Sequence, residues 1–369
     1  MTLGATGTRL LLDPAGQVHV VDVPVPETGP NDILVRTTLS QISAGTEMND
    51  VRKRRLAPAS ERGQFEDQGL GYTTAGVVER VGANVTSFKP GDRVLGQGNH
   101  GSFFVVPWDQ ATVDAGNVNS PYLDHVPDGL EDVEVVFATL GDVALHAIRH
   151  GKIQLGESVA VHGLGQIGLL ALQLAKLSGA HPIVGVDPDA ERRKMARTLG
   201  ASHTVDPTAT DAVAEIHRAT TIPFAFRDEP AHGLEPGSGA NVQIHTTARL
   251  EPLNLMFQAA ADRGRIVLAG TPSAWPERGP RADIAVDEFL RREVSLVGSY
   301  ETGMTRPHPY WPWSRARNRA VILDLIARRR LDVKPMVSHI VPASDAPKMY
   351  DMMMAGPGGW MVINFVWDA

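Results

Sequence analysis

The residues Gly163-Leu164-Gly165-Gln166-Ile167-Gly168, followed nineteen positions later by Asp187, have the types and spacing to hold a dinucleotide. Gly163 permits a tight turn, and Gly165 lets backbone N–H groups approach a pyrophosphate. Gly168 lets the following helix pack closely on a sheet, with the helix N-terminus facing the anion. Asp187 can accept hydrogen bonds from the hydroxyls of an adenosine ribose. A carboxylate there repels a 2′-phosphate, so NAD is the expected cofactor. Arg192 and Arg193 lie close enough in sequence to grip such a phosphate, which leaves NADP open.

A lone glycine motif is weak evidence; the order of its neighbours gives it weight. Before it runs the apolar segment Ser158 to His162, which reads as a buried strand. After it, Leu169 to Ser178 has apolar residues at helical spacing, and Ile183 to Asp187 is a second apolar run ending in the acid. The alternation continues. Helices are expected at Ala190 to Leu199, Asp211 to Arg218 and Pro252 to Ala261. Strands are expected at Thr204 to Asp206, Asn241 to His245, Arg265 to Ala269 and Val294 to Val297. This rhythm implies a parallel, doubly wound sheet. Thr220 to Gly239, rich in Pro, Gly and charge, reads as an extended loop.

Upstream, short alternating runs separated by Pro and Gly predict strands at Arg9 to Leu12, Val18 to Val23, Ile33 to Thr38, Ala75 to Arg80, Arg93 to Gly96 and Phe103 to Val106. Asn49 to Gln68 is charged and reads as a loop or short helix. Val133 to His150 is helical in period, and so is Asn318 to Arg328. Met336 to Ile340 and Trp360 to Phe365 are strands expected to pair with the N-terminal β-rich part. The domains are therefore discontinuous: 1–145 with 311–369, and 146–310 between them. Substrate is expected in the cleft between them, at the carboxyl ends of the parallel strands.

The chain has 369 residues, 43% hydrophobic and 21% charged, with a net charge of −7. That balance argues against a nucleic-acid binder. No apolar run is long enough to span a bilayer, and Met1 to Leu12 lacks the pattern of a signal peptide, so a cytoplasmic location is expected. There is no cysteine, which removes disulfides, iron–sulfur clusters, cysteine nucleophiles and thiolate zinc sites. Thirteen histidines remain, scattered along the chain, and no metal is expected.

The whole chain resembles the medium-chain dehydrogenase/reductase superfamily, the alcohol and polyol dehydrogenases and their zinc-less relatives. Gly71-Tyr72-Thr73-Thr74-Ala75-Gly76-Val77-Val78 is similar to the family's Gly-His-Glu-x-x-Gly-x-Val segment. Phe88-Lys89-Pro90-Gly91-Asp92-Arg93-Val94 is similar to its next turn and strand, and Val143 to Ala147 to the entry helix of the cofactor domain. Glu293 to Ser299 and Pro335 to His339 match its closing strands. The resemblance implies an α/β fold: a Rossmann doubly wound parallel sheet plus a β-rich GroES-like domain. It also implies a small-molecule substrate and a homodimer, joined at Glu293 to Ser299 as an edge strand.

The departures matter as much. Zinc relatives place a cysteine before Gly-Thr-Asp, but here Ala44 precedes Gly45-Thr46-Glu47. Tyr72 replaces the family histidine, Thr73 the glutamate, and Thr139 the third ligand. The four-cysteine structural lobe is absent. The resemblance therefore implies a zinc-less member, similar to the branch of bacteriochlorophyllide dehydrogenases and sugar or cyclitol dehydrogenases. Hydride transfer to a ketone makes an alkoxide, and a metal-free site must meet it with hydrogen-bond donors and a proton. By position, Thr46 takes the proton-relay hydroxyl and Tyr72 brings a phenol to the place of a ligand. Glu47 is expected to orient its neighbours. Asp142 reads as a helix cap and His146 as a core histidine, while Tyr300, Trp311 and Trp313 are candidates for a pocket wall. The leading expectation is an NAD(H) oxidoreductase acting on a secondary alcohol or ketone. Two others stay open: an NADPH-dependent reductase of an activated C=C bond, and a cofactor-binding protein without turnover.

Overall fold

The computed structural model describes residues 6–108, 122–209, 211–221, 238–270, 284, 286–300, 312–356 and 358–367. Most of the expected loop 220–239, and Trp311, lie outside the described residues. The chain divides into two units. One comprises Met1–Thr139, Thr302–Arg329 and Val333–Ala369; the other comprises Leu140–Glu301 and Arg330–Asp332. The first boundary falls at 139/140, which like the expected 145/146 lies inside the helix Phe137–Gly151, and the second falls at 301/302 where 310/311 was expected. A helix that runs through a boundary keeps one period across it, so no change of pattern marks the spot.

The first unit is built on antiparallel strands. β1 (Thr6–Leu12) pairs with β2 (Val18–Pro24) on one side and β4 (Gln68–Gly69) on the other. β3 (Asp32–Gln41) is the long strand of the larger sheet. It pairs antiparallel with β5 (Thr74–Val81), β7 (Phe103–Pro107) and β16 (Val362–Val366). β6 (Arg93–Gly96), β8 (Leu123–His125) and β15 (Val337–Pro342) complete it. The C-terminal strand thus returns to the N-terminal sheet, with Phe365 opposite Ser40.

Two helices cover this unit where the sequence reading expected little. Ala44–Leu56 is a full helix, where Asn49 to Gln68 reads as a loop or short helix; it starts early enough to put Glu47 in its first turn. Its apolar positions are few, but Met48 and Val51 are buried against Leu10, Leu12, Tyr350, Met353 and Phe365. Ala346–Ala355 is a helix that the sequence reading did not assign. Its methionines crowd more than one face, which blurs the helical period.

The second unit is a parallel sheet. Its order is β11 (His203–Val205), β10 (Ile183–Val186), β9 (Val159–His162), β12 (Ala240–His245), β13 (Ala260–Leu268), β14 (Ser295–Gly298). Counted within the unit this is 3-2-1-4-5-6, the Rossmann order, whose switch point lies between β9 and β12. β9 and β10 are buried along their whole length, as their unbroken apolar runs require. The helix Pro252–Gln258 ends sooner than expected, because β13 already begins at Ala260, opposite Ala240. Among the described residues, no helix is long and apolar enough to cross a membrane.

Candidate functional site

The glycine segment leaves β9 at the switch point and enters the helix Gln166–Leu177. Gly163 has φ of +93°, a conformation that side chains disfavour. Its carbonyl accepts from Thr246 Oγ1 at 2.7 Å, tying the turn to the end of β12. Gly165 caps the helix without a side-chain cap hydrogen bond. Among the described residues, a Cβ on Gly165 would meet only Arg192 Nη1, at 3.8 Å, whereas a Cβ on Gly168 would lie 1.8 Å from the Gly163 carbonyl oxygen. Among the described residues one glycine therefore leaves open space in front of the helix, and the other allows the turn to close on the helix. This cradle fits a pyrophosphate. Leu164, by contrast, is fully buried and anchors the turn from below. His162 ends β9 beneath it. It pairs with Gln243 Oε1 at 2.8 Å, and burial pushes its pKa down to about 4, so it is neutral there.

Asp187 is 5% exposed. Its carboxylate accepts from the Leu164 N–H at 2.7 Å and the Asp189 N–H at 2.8 Å, one amide on each oxygen. The acid thus braces the glycine turn, and each oxygen keeps acceptor capacity for a ribose hydroxyl. The two arginines part ways. Arg192 lies over Gly165, while Arg193 donates to the Asp187 carbonyl at 2.7 Å and faces Asp206 at 3.1 Å. Of the two, Arg192 is the one beside the turn.

In the first unit, Tyr72 and Thr46 come together, with Tyr72 Oη and Thr46 Oγ1 3.5 Å apart. Ser43, which the sequence reading passed over, joins them: its Oγ is hydrogen-bonded to Tyr72 Oη. Thr46 is exposed and Tyr72 half-buried, so the cluster opens to solvent on the Thr46 side. Behind it, Glu47 is 3% exposed and accepts from the Ser43 N–H at 2.6 Å. It also accepts from Tyr350 Oη, and it faces His100 Nε2 at 3.1 Å. His100 and Tyr350 come from a loop and from the unassigned helix, and lone His and Tyr residues gave no signal of either. Burial and the Glu47 charge hold the Tyr350 phenol well above its ordinary pKa, so it remains a donor.

The three positions at which the resemblance implies zinc ligands hold Ala44, Tyr72 and Thr139. Thr139 Oγ1 is hydrogen-bonded to Tyr122 Oη at 2.5 Å. Burial pushes Tyr122 up to about 12, against the pull of Arg319, whose guanidinium lies 3.6 Å from its ring centre. A methyl group and two hydroxyls engaged with other hydroxyls do not fit zinc. Other expectations resolve less favourably. Asp142 is not a cap: it is fully buried inside the helix Phe137–Gly151. His146 is buried as expected, but it forms an H-x-x-x-H pair with His150, Nε2 to Nε2 at 3.2 Å. Burial pushes His146 down to about 4. Among the described residues, no group of three or more such side chains is arranged to hold a metal. Tyr300 is 65% exposed, and Trp313 lies under the Arg317 guanidinium, 4.2 Å away.

Comparison with known proteins extends this picture. A family model described as zinc-binding dehydrogenase matches residues 167–314, a span that does not include Ala44, Tyr72 or Thr139. Sorbitol dehydrogenase of Gallus gallus is 26% identical over 378 residues, covering 96% of this chain and 96% of that protein. Among solved structures, a protein of Sinorhizobium meliloti 1021 described as a zinc-binding dehydrogenase, with NADP bound, superposes with a TM-score of 0.74. It is 23% identical and covers 98% of this chain and 99% of its own. A short chain alcohol dehydrogenase of Escherichia coli CFT073, complexed with NADH, gives a TM-score of 0.75 at 16% identity, covering 99% and 100%. The fold is the one these proteins share: a Rossmann sheet with a separate antiparallel β-rich domain.

Proposed function

We propose that this chain is an NAD(P)-dependent alcohol dehydrogenase that interconverts a secondary alcohol and a ketone on a polyol- or sugar-like substrate, and that it works without zinc. The observation that carries the proposal is the hydroxyl cluster of Ser43, Thr46 and Tyr72, in which Tyr72 takes the position the resemblance gives to a ligand histidine. Similarity to sorbitol dehydrogenase along nearly the whole chain supports the substrate class. A bound nicotinamide supplies or takes the hydride. The chain's own residues do the rest. The Gly163 to Gly168 turn and the helix amides hold a pyrophosphate, Asp187 takes the ribose hydroxyls, and Arg192 reaches the same ligand from above. Tyr72 donates to the substrate oxygen as charge develops on it, and Thr46 passes a proton between Tyr72 and water.

The test follows NADH absorbance over a panel of polyols, sugars, ketones and enones. NADH formation from a secondary alcohol is expected. Turnover confined to NADPH and an enone C=C bond would replace this reading with the reductase one; binding of NADH with no turnover anywhere on the panel would replace it with the non-catalytic one.

Cofactor choice follows from Asp187. Its carboxylate favours a ribose diol and opposes a 2′-phosphate. Fluorescence titration should give NADH the tighter binding, and Asp187→Ala should narrow the gap, leaving Arg192 as the main charge at that place. Tighter binding of NADPH to the wild type contradicts this assignment.

The chain forms a dimer in this reading. β14 is the edge of the described parallel sheet, and Leu296 on it is 37% exposed. An unpaired apolar edge is an association surface unless something covers it. Light scattering at micromolar concentration should return twice the chain mass; a monomer mass throughout counts against it.

A further inference from the structure

We infer that Ser43, held in place by the buried Glu47, orients the Tyr72 hydroxyl so that its proton faces the substrate; the inference rests on the proposed role of Tyr72 as proton donor. A phenol has one proton and can also accept. If Tyr72 gives its proton to a substrate oxygen, the neighbouring hydroxyls must donate to Tyr72 rather than accept from it. Of the two hydroxyls given beside Tyr72, Ser43 is the nearer and the more buried. It is 5% exposed, and its Oγ is hydrogen-bonded to Tyr72 Oη, while the exposed Thr46 stands 3.5 Å away.

The position of Ser43 is fixed from behind. Its N–H donates to Glu47 at 2.6 Å. Glu47 in turn takes Tyr350 Oη and faces His100 Nε2 at 3.1 Å. His100 Nδ1 lies 2.7 Å from Ser40 Oγ, which accepts from Trp367 Nε1 at 2.8 Å. This network joins the helix Ala44–Leu56, the loop before β7, the helix Ala346–Ala355, strand β3 and Trp367, just after β16. Its titratable members, Glu47, His100 and Tyr350, all lie behind Ser43. Burying a carboxylate costs several kcal/mol before its partners compensate, so a network of this kind adds little stability over apolar packing. What it adds here is a fixed place for one hydroxyl.

Ser43 then acts twice. Before transfer it donates to Tyr72 and leaves the Tyr72 proton for the substrate. On transfer the Oη–H bond breaks, its electron pair stays on Tyr72 as a phenolate, and the proton forms the new O–H bond of the substrate alcohol. The phenolate keeps the Ser43 donor until water returns a proton by way of the exposed Thr46. Ser43 is a positioning residue, because it acts through Tyr72.

The test needs no substrate. The chain has five tyrosines, and subtracting the tyrosinate absorbance titration of Tyr72→Phe from that of the wild type isolates the curve of Tyr72. The same subtraction is made in a Ser43→Ala background. Loss of a donor to the phenolate should move the midpoint up by about one pH unit, and Ser43→Thr, which keeps the hydroxyl, should restore most of it. Should the alanine variant fail to fold, Ser43→Cys keeps the size with a weak donor and should move the midpoint in the same direction. An unmoved midpoint in a folded Ser43→Ala or Ser43→Cys protein overturns the inference. Failure of the Tyr72 proposal shows separately, as full turnover in Tyr72→Phe.

Discussion

Gly168→Ala is expected to lose dinucleotide binding and stability together. The added Cβ would sit 1.8 Å from the Gly163 carbonyl oxygen and 2.9 Å from Thr246 Oγ1. The nearer is the backbone of the turn, which cannot swing aside as a side-chain tip can; the other is the Thr246 hydroxyl at the end of β12. The turn must lift off the helix, breaking the Thr246 bond to the Gly163 carbonyl and moving the amide of Leu164 away from Asp187. Overpacking of this kind costs about 1–3 kcal/mol. If that strain falls on the cradle, cofactor affinity drops by up to about a hundredfold. Gly165→Ala is the control. Among the described residues its Cβ meets only the tip of Arg192 at 3.8 Å, so the fold should keep its melting temperature. Binding should weaken all the same, because the methyl group occupies the approach of the pyrophosphate. Calorimetric unfolding together with NADH fluorescence titration separates the two variants. Equal melting temperatures for Gly168→Ala and the wild type would contradict the packing argument.

Tyr72→Phe should lower turnover by about 10²–10³, the usual cost of one lost donor at a developing oxyanion. NADH affinity should stay nearly unchanged, because Tyr72 belongs to the other unit from the glycine turn. Thr46→Val should also lower turnover. The double variant should fall by less than the product of the two, since both hydroxyls serve one proton path. Steady-state rates on the best alcohol of the panel provide the check. If Tyr72→Phe keeps its rate, the tyrosine only fills the space of the missing ligand, and the proton comes from elsewhere.

The cofactor unit was legible in the sequence because its signals are local. Buried parallel strands are continuous apolar runs, the glycines mark a single turn, and the acid closes the next strand. The hydroxyl site was legible only in part. Thr46 and Tyr72 stand in segments that resemble the family's, so their positions were readable. Ser43 shows itself only once the turn before the helix Ala44–Leu56 meets Tyr72, ahead of β5. Glu47, His100 and Tyr350 lie 53 and 303 residues apart along the pairs they form, and no local pattern announces such a contact. The helix Ala346–Ala355 was missed because its apolar residues do not keep to one face. Asp142 was misread for a related reason: an acid near an expected helix start looks like a cap, but the helix begins five residues earlier, at Phe137.

The metal-free mechanism is the central claim, and one measurement meets it directly. The protein is dialysed against a strong chelator, its zinc is counted by elemental analysis, and the rate of NADH formation from the best secondary alcohol is taken before and after. The hydroxyl cluster predicts well under one zinc per chain and an unchanged rate, because Ala44, Tyr72 and Thr139 offer no credible ligand set. A rate that disappears with the chelator and returns when zinc is added at one ion per chain would contradict it.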